Sequence, residues 1–200
     1  VHIMSRLFQK FKQDILGIFL IGSGFFLVLA LVSFNPKDPS FNSIGDKLKA
    51  INYCGYVGSF LSDGLFQTLG VCAWFLVVGL VRMAWLSFLG QEIRLKNLRL
   101  VWALLLVLTV SSLISVYFPD SKIYNKQIFL GGMVGLSLSR AMITIFNPIG
   151  VQVILWSSAL ILIVFYSEKT VHELARIPIF AVSFFKTLSA RRLSKIDLFD

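Results

Sequence analysis

Four long stretches with almost no charged side chains restrict what this chain can fold into. They cover residues 15–34, 65–89, 100–118 and 148–166. An α-helix rises about 1.5 Å per residue, so about 20 apolar residues cross a hydrocarbon core of about 30 Å. Arg82 is the single charge inside the stretches, and it stands beside Trp85, from where its side chain can reach the membrane surface. The sequence therefore predicts four transmembrane helices.

The composition agrees with a membrane protein and excludes a soluble one. Of the 200 residues, 56% are hydrophobic and 14% are charged, whereas about a quarter of the residues in soluble domains are charged. The net charge of +9 raises the alternative of nucleic-acid binding. In a membrane protein, basic residues flank the spans and fix their orientation, and we favour that interpretation. The bilayer is thus the expected partner, and nucleic acid is not.

A glycine-rich segment occurs twice, at a constant offset of 77 residues. Residues 55–70 read GYVGSFLSDGLFQTLG, and residues 132–146 read GMVGLSLSRAMITIF. Each copy follows one apolar stretch and leads into another, which indicates two tandem units. We therefore predict an all-α integral membrane protein built from two parallel repeats, each with a transmembrane helix, a polar loop, an amphipathic helix and a second transmembrane helix. Chance similarity is the alternative, because Gly, Val, Leu and Ser are common in membrane segments.

The repeat divides the chain into three parts. Residues 1–14 are predicted as a cytoplasmic lead-in helix, residues 15–166 as the four-span domain, and residues 167–200 as a basic amphipathic tail that begins a cytoplasmic linker. Within the domain, residues 55–64 and 131–146 are expected as amphipathic helices. They lie on the membrane face or are partly re-entrant, because polar side chains accompany Arg140 in the middle of the second copy.

The distribution of lysine and arginine predicts the orientation. The N-terminal part, the loop over residues 91–99 and the tail hold twelve of these residues, and the two opposite loops hold five, with Arg82 and Arg140 left out. Cytoplasmic loops carry the excess of basic residues. Both termini are therefore expected in the cytoplasm, and both glycine-rich segments outside. A repeat axis along the membrane normal follows from this arrangement.

The tail carries a basic cluster next to an apolar row. Its basic members are Lys186, Arg191, Arg192 and Lys195, which follow Phe180, Phe184 and Leu188. Such a pattern is typical of an interfacial helix that binds anionic lipid, where each basic residue adds about 1 kcal/mol. A solvated linker is the alternative.

The sequence contains no recognisable catalytic or metal-binding motif. It has no phosphate-binding G-x-x-x-x-G-K-[ST] motif, and His2 and His172 lie at opposite ends, so no Cys/His metal set can be assembled. The four spans lack Asp, Glu and His, which leaves a proton relay or ion path without ionisable groups of that kind. Cys54 and Cys72 would be about 27 Å apart on a helix, too far for a disulfide. We expect no enzyme activity and no cofactor in this chain.

One stretch resembles a known family. Residues 33–41, SFNPKDPSF, are similar to the S-F-x-P-x-D-P-S-aromatic signature of the FtsK/SpoIIIE DNA translocases. The following Gly55 and Gly58, with Asp63 behind them, resemble that family's G-x-x-G-A-x-x-A-D-x-L-F stretch, although Ser59 and Ser62 replace the alanines. The family motif and its second copy together single out Pro36, Asp38, Pro39, Ser40, Gly55, Gly58, Asp63, Gly132, Gly135 and Arg140.

The resemblance implies an N-terminal four-span membrane domain of a septal, ATP-driven DNA translocase. Such a domain would anchor the protein in the bacterial inner membrane at the division site and recruit divisome proteins, and the full-length protein would assemble as a hexamer. The resemblance places the ATP-binding motor and the DNA-reading domain outside these 200 residues. This chain alone is therefore expected to bind neither ATP nor DNA.

A free-standing four-span protein, such as a small transporter or channel subunit, is the competing hypothesis. It would require polar groups in the spans or inverted repeats, and the sequence contains neither. Several hundred further residues with a G-x-x-x-x-G-K-[ST] motif beyond Asp200 would decide for the translocase.

The repeat also predicts a specific contact. Asp63 in the first copy aligns with Arg140 in the second. A single desolvated charge costs several kcal/mol and a paired one much less, so we expect an ion pair between the two halves. The alternative is that each side chain reaches water separately.

Overall fold

The computed structural model describes residues 2–41, 49–90, 99–124 and 127–167. Its helices are α1 (His2–Val32), α2 (Gly55–Leu69), α3 (Trp74–Phe88), α4 (Arg99–Tyr117) and α5 (Gly132–Ser167), with a 3₁₀ turn, Gly70–Ala73, between α2 and α3. The segments long and apolar enough to cross a membrane are Lys10–Val32, Gly55–Phe88, Leu100–Tyr117 and Gly132–Ser167. Four membrane-spanning helices therefore form the described fold.

The fold is not entirely helical. Strands β1 (Lys122–Ile123) and β2 (Ile128–Phe129) pair antiparallel, with Lys122 opposite Phe129. This β1–β2 hairpin lies between α4 and α5, where Pro119 and Asp120 end the preceding helix and favour a turn. The all-α prediction is correct for the spans and wrong for this connection.

The predicted lead-in segment and the first span form one helix. α1 runs from His2 to Val32 without a break. No proline occurs within it, and its glycines at 17, 22 and 24 keep helical geometry. At 1.5 Å per residue the helix is about 46 Å long, which exceeds the hydrocarbon thickness by several turns.

The first glycine-rich segment extends five residues beyond its predicted end. We expected a boundary between residues 64 and 65, but α2 continues to Leu69, and Gly70 breaks it with φ +60°. Residues 65–69 contain no helix breaker, whereas a left-handed φ favours glycine. The boundary is therefore set by Gly70, and α3 begins at Trp74 after the 3₁₀ turn.

A kink divides α5 into two parts, residues 132–146 (α5a) and residues 148–167 (α5b). Asn147 has φ 59° and ψ 160° inside the continuous assignment. Pro148 follows it, lacks a backbone N–H and disfavours helical geometry at the preceding residue. Asparagine tolerates positive φ better than most residues. The pair therefore explains why the direction changes at this point.

The two glycine-rich helices begin and end with left-handed residues at matching positions. Gly55 and Gly132 have φ of 64° and 69°, and Gly70 and Asn147 have φ of 60° and 59°. Both pairs are separated by 77 residues. Positions 58, 59 and 62 of α2 are buried, as are the aligned positions 135, 136 and 139 of α5a. The two helices thus have matching ends and match at these three buried positions.

The spanning helices pack as two antiparallel pairs, α1 with α3 and α4 with α5b. In the first pair, Gln13 Nε2 donates to the carbonyl of Gly90 (3.2 Å). In the second, the ring of Trp102 stacks on that of Phe165 at 4.8 Å. We call the end of the bundle that carries Phe34, Gly70 and the β1–β2 hairpin the hairpin end, and the end with Gln13 and Trp102 the opposite end.

The two pairs have separate cores and meet mainly through α2 and the Gly70–Ala73 turn. Leu31, Phe34, Phe66 and Val77 belong to the first core. The second core consists of Leu113, Val151, Leu155 and Ala159. Away from the hairpin end, an apolar groove of about 770 Å³ lies between the α1–α3 pair and α4. The fold therefore consists of two helix pairs joined at one end.

Candidate functional site

The motif after α1 forms a compact loop centred on Asp38. The loop turns back at Asn35, whose side chain accepts the backbone N–H of Lys37 (3.0 Å). Asp38 is 1% exposed, and its two carboxylate oxygens accept the backbone N–H groups of Ile51 (3.0 Å) and Asn52 (2.8 Å). A carboxylate is a strong acceptor for buried N–H groups. Asp38 therefore has a structural role, since it holds the loop against the segment that leads into α2.

Asn52 connects this loop to two helices. Its Nδ2 donates to the carbonyl of Ala30 in α1 (2.8 Å) and to Ser62 Oγ in α2 (3.5 Å). Its Oδ1 accepts the backbone N–H of Cys54 (3.0 Å). A Cβ at Gly58 would clash with this amide oxygen, which explains the glycine. The role of Asn52 was not predicted from the sequence, because the only signal for it is the presence of an asparagine shortly before a helix start.

The start of α2 lies beside the last turns of α1 rather than beyond them. The segment before α2 contacts α1 at Ser33, whose Oγ accepts the N–H of Tyr53 (2.9 Å), and at Phe26, whose carbonyl accepts the thiol of Cys54 (3.4 Å). Seven helical residues correspond to about 10 Å. The first glycine-rich helix therefore begins alongside the last two turns of α1, which these two contacts span.

Ser59 and Ser62, which replace alanines of the family motif, make hydrogen bonds in this site. Ser59 Oγ donates to the carbonyl of Pro39 (2.6 Å) and so connects α2 with the loop. Ser62 Oγ donates to the carbonyl of Gly58 within α2 (2.7 Å). Both hydroxyls are buried and satisfied, as buried polar groups require. Pro36 and Ser40 lie partly buried in the same loop.

The second glycine-rich segment packs on serines of α4. Ser111 Oγ donates to the carbonyl of Gly131, and a Cβ at Gly135 would clash with Ser111. Small residues permit such close approach of membrane helices. Ser111 was missed by sequence reasoning, because nothing distinguishes it from the other serines of its span.

Gly70 and Gly132 join the two halves of the molecule. The N–H of Val71 donates to the carbonyl of Leu130 (2.9 Å). A Cβ at Gly70 would clash with that carbonyl, and a Cβ at Gly132 would clash with the carbonyl of Thr68. Since both glycines also have positive φ, no other residue fits either position without strain.

The predicted ion pair between Asp63 and Arg140 is wrong. Asp63 is buried, its Oδ1 accepts Gln67 Nε2 (2.9 Å), and its Oδ2 has no hydrogen-bond partner in the described chain. Arg140 is exposed and lines a cavity of about 490 Å³. The two positions align in sequence, but one side chain points into the protein and the other out of it.

Arg82 does not lie free in the membrane. Its guanidinium carbon is 4.6 Å from the ring centroid of Tyr166, near the end of α5. A cation over an aromatic face is stabilised by the ring quadrupole. This contact links α3 to α5b toward the opposite end of the bundle.

Several predicted features lie outside the described residues. The basic cluster of the tail, which consists of Lys186, Arg191, Arg192 and Lys195, belongs to this group. Within the described ranges, no three His, Cys, Asp or Glu side chains could hold a metal ion together. Cys54 and Cys72 have free thiols.

These features define a helical membrane domain whose polar contacts are concentrated at one end. The chain matches the family described as the 4TM region of DNA translocase FtsK/SpoIIIE over residues 9–177, and it belongs to that family. The resemblance found in the motif after α1 is thereby confirmed.

Bacterial proteins named DNA translocase FtsK are similar to this chain. The protein of Vibrio vulnificus is 30% identical over 159 residues, which are 76% of this chain and 16% of the relative. That of Shewanella oneidensis is 30% identical over 136 residues, 65% of this chain and 14% of the relative. That of Caulobacter vibrioides is 36% identical over 120 residues, which are 58% of this chain and 14% of the relative. The chain thus spans less than a fifth of the length of these relatives. No solved structure matches it.

Proposed function

We propose that this domain anchors an ATP-driven DNA translocase in the bacterial inner membrane at the division septum. The family match over residues 9–177 carries the proposal, because the relatives are translocases several times longer than the matched part. The motor and its DNA contacts belong to the remainder of such a protein. The role of this chain is to hold the motor at the membrane, and it neither hydrolyses ATP nor binds DNA.

The domain also recruits divisome membrane proteins through its hairpin end. Phe41 and Tyr53 are 76% and 75% exposed there, and Tyr56 is about half exposed. Exposed aromatic side chains are enriched at protein interfaces, because they combine large apolar area with few rotatable bonds. The ring of Phe41 packs edge-on against Phe60 of α2 at 5.1 Å, and the hydrogen bond from the Tyr53 N–H to Ser33 Oγ fixes the backbone of the second aromatic residue.

Septal localisation of the chain tests this function. Residues 1–200, fused to a fluorescent protein, should accumulate at midcell in dividing cells that lack their own translocase membrane domain. Tyr53→Ser should reduce the midcell fraction, and Trp85→Leu, a change of an exposed aromatic on α3, should leave it unchanged. Uniform membrane fluorescence of the unaltered chain would contradict the proposal.

The orientation proposed has both termini in the cytoplasm and the hairpin end outside. The count of lysine and arginine supports it. The full-length protein self-associates, by resemblance as a hexamer, around the motor. Its tail contacts anionic lipid through Lys186, Arg191, Arg192 and Lys195, and binding of residues 177–196 to anionic vesicles should weaken as salt increases.

The two halves are proposed as parallel repeats about an axis along the membrane normal. The matching left-handed residues at both ends of α2 and α5a support this arrangement, as do their matching buried positions. The two copies differ in the exposure of the aligned residues Asp63 and Arg140.

A further inference from the structure

A charged cavity of about 490 Å³ at the hairpin end is not used by the contacts described above. It is lined by Asp120, Lys122, Phe129 and Arg140. These residues come from three elements: the turn after α4, the β1–β2 hairpin and α5a. The pairing of Lys122 with Phe129 across the hairpin places the lysine ammonium 4.4 Å from the ring centroid of Phe129. The cavity therefore contains two cations and one carboxylate that the fold brings together.

The charges around this cavity do not neutralise one another. Within the ranges that the structure describes, neither Lys122 nor Arg140 forms an ion pair with Asp120 or another acid. Two unpaired cations at one cavity favour an anion, and arginine with lysine is the combination that suits phosphate. The carboxylate of Asp120 adds a place for a cationic group next to that anion.

The position of the first repeat that corresponds to Arg140 has no exposed cation. Asp63, which aligns with Arg140, is buried in α2. The exposure of Arg140 is thus a property of the second half alone, where the short hairpin replaces the longer loop of the first half.

The depth of the cavity indicates a lipid rather than a soluble ligand. Asp120 lies three residues beyond Tyr117, the last residue of the α4 span. Tyrosine and tryptophan mark the level of the lipid headgroups. Phe118, two residues before Asp120 in the chain, is exposed and would face acyl chains. A ligand at this place combines a charged headgroup with an apolar tail.

We propose that this cavity binds the headgroup of a zwitterionic phospholipid with a primary amine, such as phosphatidylethanolamine. Arg140 and Lys122 bind its phosphate, and Asp120 accepts hydrogen bonds from its ammonium. A quaternary amine, as in phosphatidylcholine, has no N–H to donate to Asp120. The site is therefore selective for the primary amine.

Lipid binding to purified residues 1–200 tests the site. Detergent-solubilised protein is incubated with phosphatidylethanolamine, phosphatidylcholine or phosphatidylglycerol, and bound lipid is measured by native mass spectrometry. Phosphatidylethanolamine should bind about tenfold more tightly than phosphatidylcholine, because each charged hydrogen bond changes affinity by about that factor. Arg140→Ala and Lys122→Ala should each reduce its binding about tenfold, and Asp120→Asn should reduce the preference over phosphatidylcholine.

Lys37→Ala is the matched control, because Lys37 is an exposed lysine outside the cavity, in the loop after α1. Equal loss in Lys37→Ala and Arg140→Ala would overturn the proposal, as would equal binding of phosphatidylethanolamine and phosphatidylcholine. Glycerophosphoethanolamine, which has the same headgroup without acyl chains, distinguishes a lipid ligand from a soluble one. If it competes as well as the lipid, the ligand is soluble and the lipid assignment is wrong.

Discussion

Gly70 and Gly132 lie backbone against backbone, and neither position has space for a Cβ. Gly70 ends the first glycine-rich helix, and Gly132 begins the second. Their contact therefore joins the two halves of the domain at the place where each half changes direction. A contact made by backbone atoms alone has no side chain that can rearrange to accommodate a substitution.

Alanine at either glycine should destabilise the domain. Gly70→Ala and Gly132→Ala each combine a left-handed residue with a backbone clash, and we expect a loss of about 2–4 kcal/mol in the free energy of unfolding. Gly79→Ala is the matched control, because nothing lies within 4 Å of a Cβ there. Thermal unfolding in detergent measures the difference. Equal stability of the Gly70 and Gly79 variants would contradict the contact.

Removal of the Asp38 carboxylate should also destabilise the fold. Asp38→Ala leaves the backbone N–H groups of Ile51 and Asn52 without an acceptor, at a cost of about 2–5 kcal/mol. Asp38→Asn retains one acceptor oxygen and should have an intermediate effect. Asp120→Ala changes an exposed carboxylate and should alter stability by less than about 0.5 kcal/mol. If Asp38→Ala resembles Asp120→Ala, the loop is not held by this residue.

Asp63 and Arg140 should behave as independent residues. Asp63→Asn removes the charge of a buried carboxylate while the hydrogen bond from Gln67 remains, so stability should rise by about 1 kcal/mol. Arg140→Ala should be close to neutral, because the side chain is exposed. The effects of the two changes should add within about 0.5 kcal/mol in a double-mutant cycle. A larger coupling energy would restore the ion pair that the sequence suggested.

The alkaline stability of the domain should depend on Tyr124. Burial raises the pKa of its hydroxyl above the ordinary value of 10.0, and its ring packs on Phe34 and Phe66. The folded protein therefore retains the phenolic proton at a pH where the unfolded chain loses it, so this stability is present below about pH 10 and is lost as pH rises. Tyr124→Phe should reduce the loss, whereas Tyr53→Phe, at an exposed tyrosine, should not. Denaturant titrations between pH 8 and pH 11 measure the free energy of unfolding and its loss at high pH.

Cysteine labelling should establish the orientation. In a chain whose Cys54 and Cys72 are replaced by alanine, Lys122→Cys should react with a membrane-impermeant maleimide in spheroplasts. Lys96→Cys should react only after the membrane is permeabilised. Labelling of position 96 in intact spheroplasts would reverse the proposed topology.

The spans could be predicted from the sequence because a single term, the cost of charge in hydrocarbon, decides their location. The break at Asn147 was also predictable, since Pro148 restricts the residue before it. The end of α2 was misplaced because residues 65–69 are equally compatible with either helix, and only the contact of Gly70 with Leu130 distinguishes them. Each strand of the β1–β2 hairpin has two residues, and an alternating pattern of apolar and polar residues cannot be recognised over so short a length.

The polar site was predictable only in part. The family motif singled out Asp38 and Gly58, but not Asn52, which has its role because three distant segments of the chain meet there. The error at Asp63 and Arg140 has a similar origin. A sequence alignment assigns equivalent positions along two helices, but the neighbours of each helix determine which side chains are covered.

The attachment of the two helix pairs at one end has a mechanical consequence. α5a begins at Gly132 in the Gly70–Gly132 joint, and beyond the kink α5b runs 20 residues to Ser167, a helix length of about 30 Å. Because the pairs are attached at the hairpin end, a small rotation at the joint displaces the opposite ends of α3 and α5b by the largest distance. The apolar groove and the Arg82–Tyr166 contact lie between the pairs away from the joint. The relative orientation of the two pairs is therefore fixed at the joint by two residues without side chains.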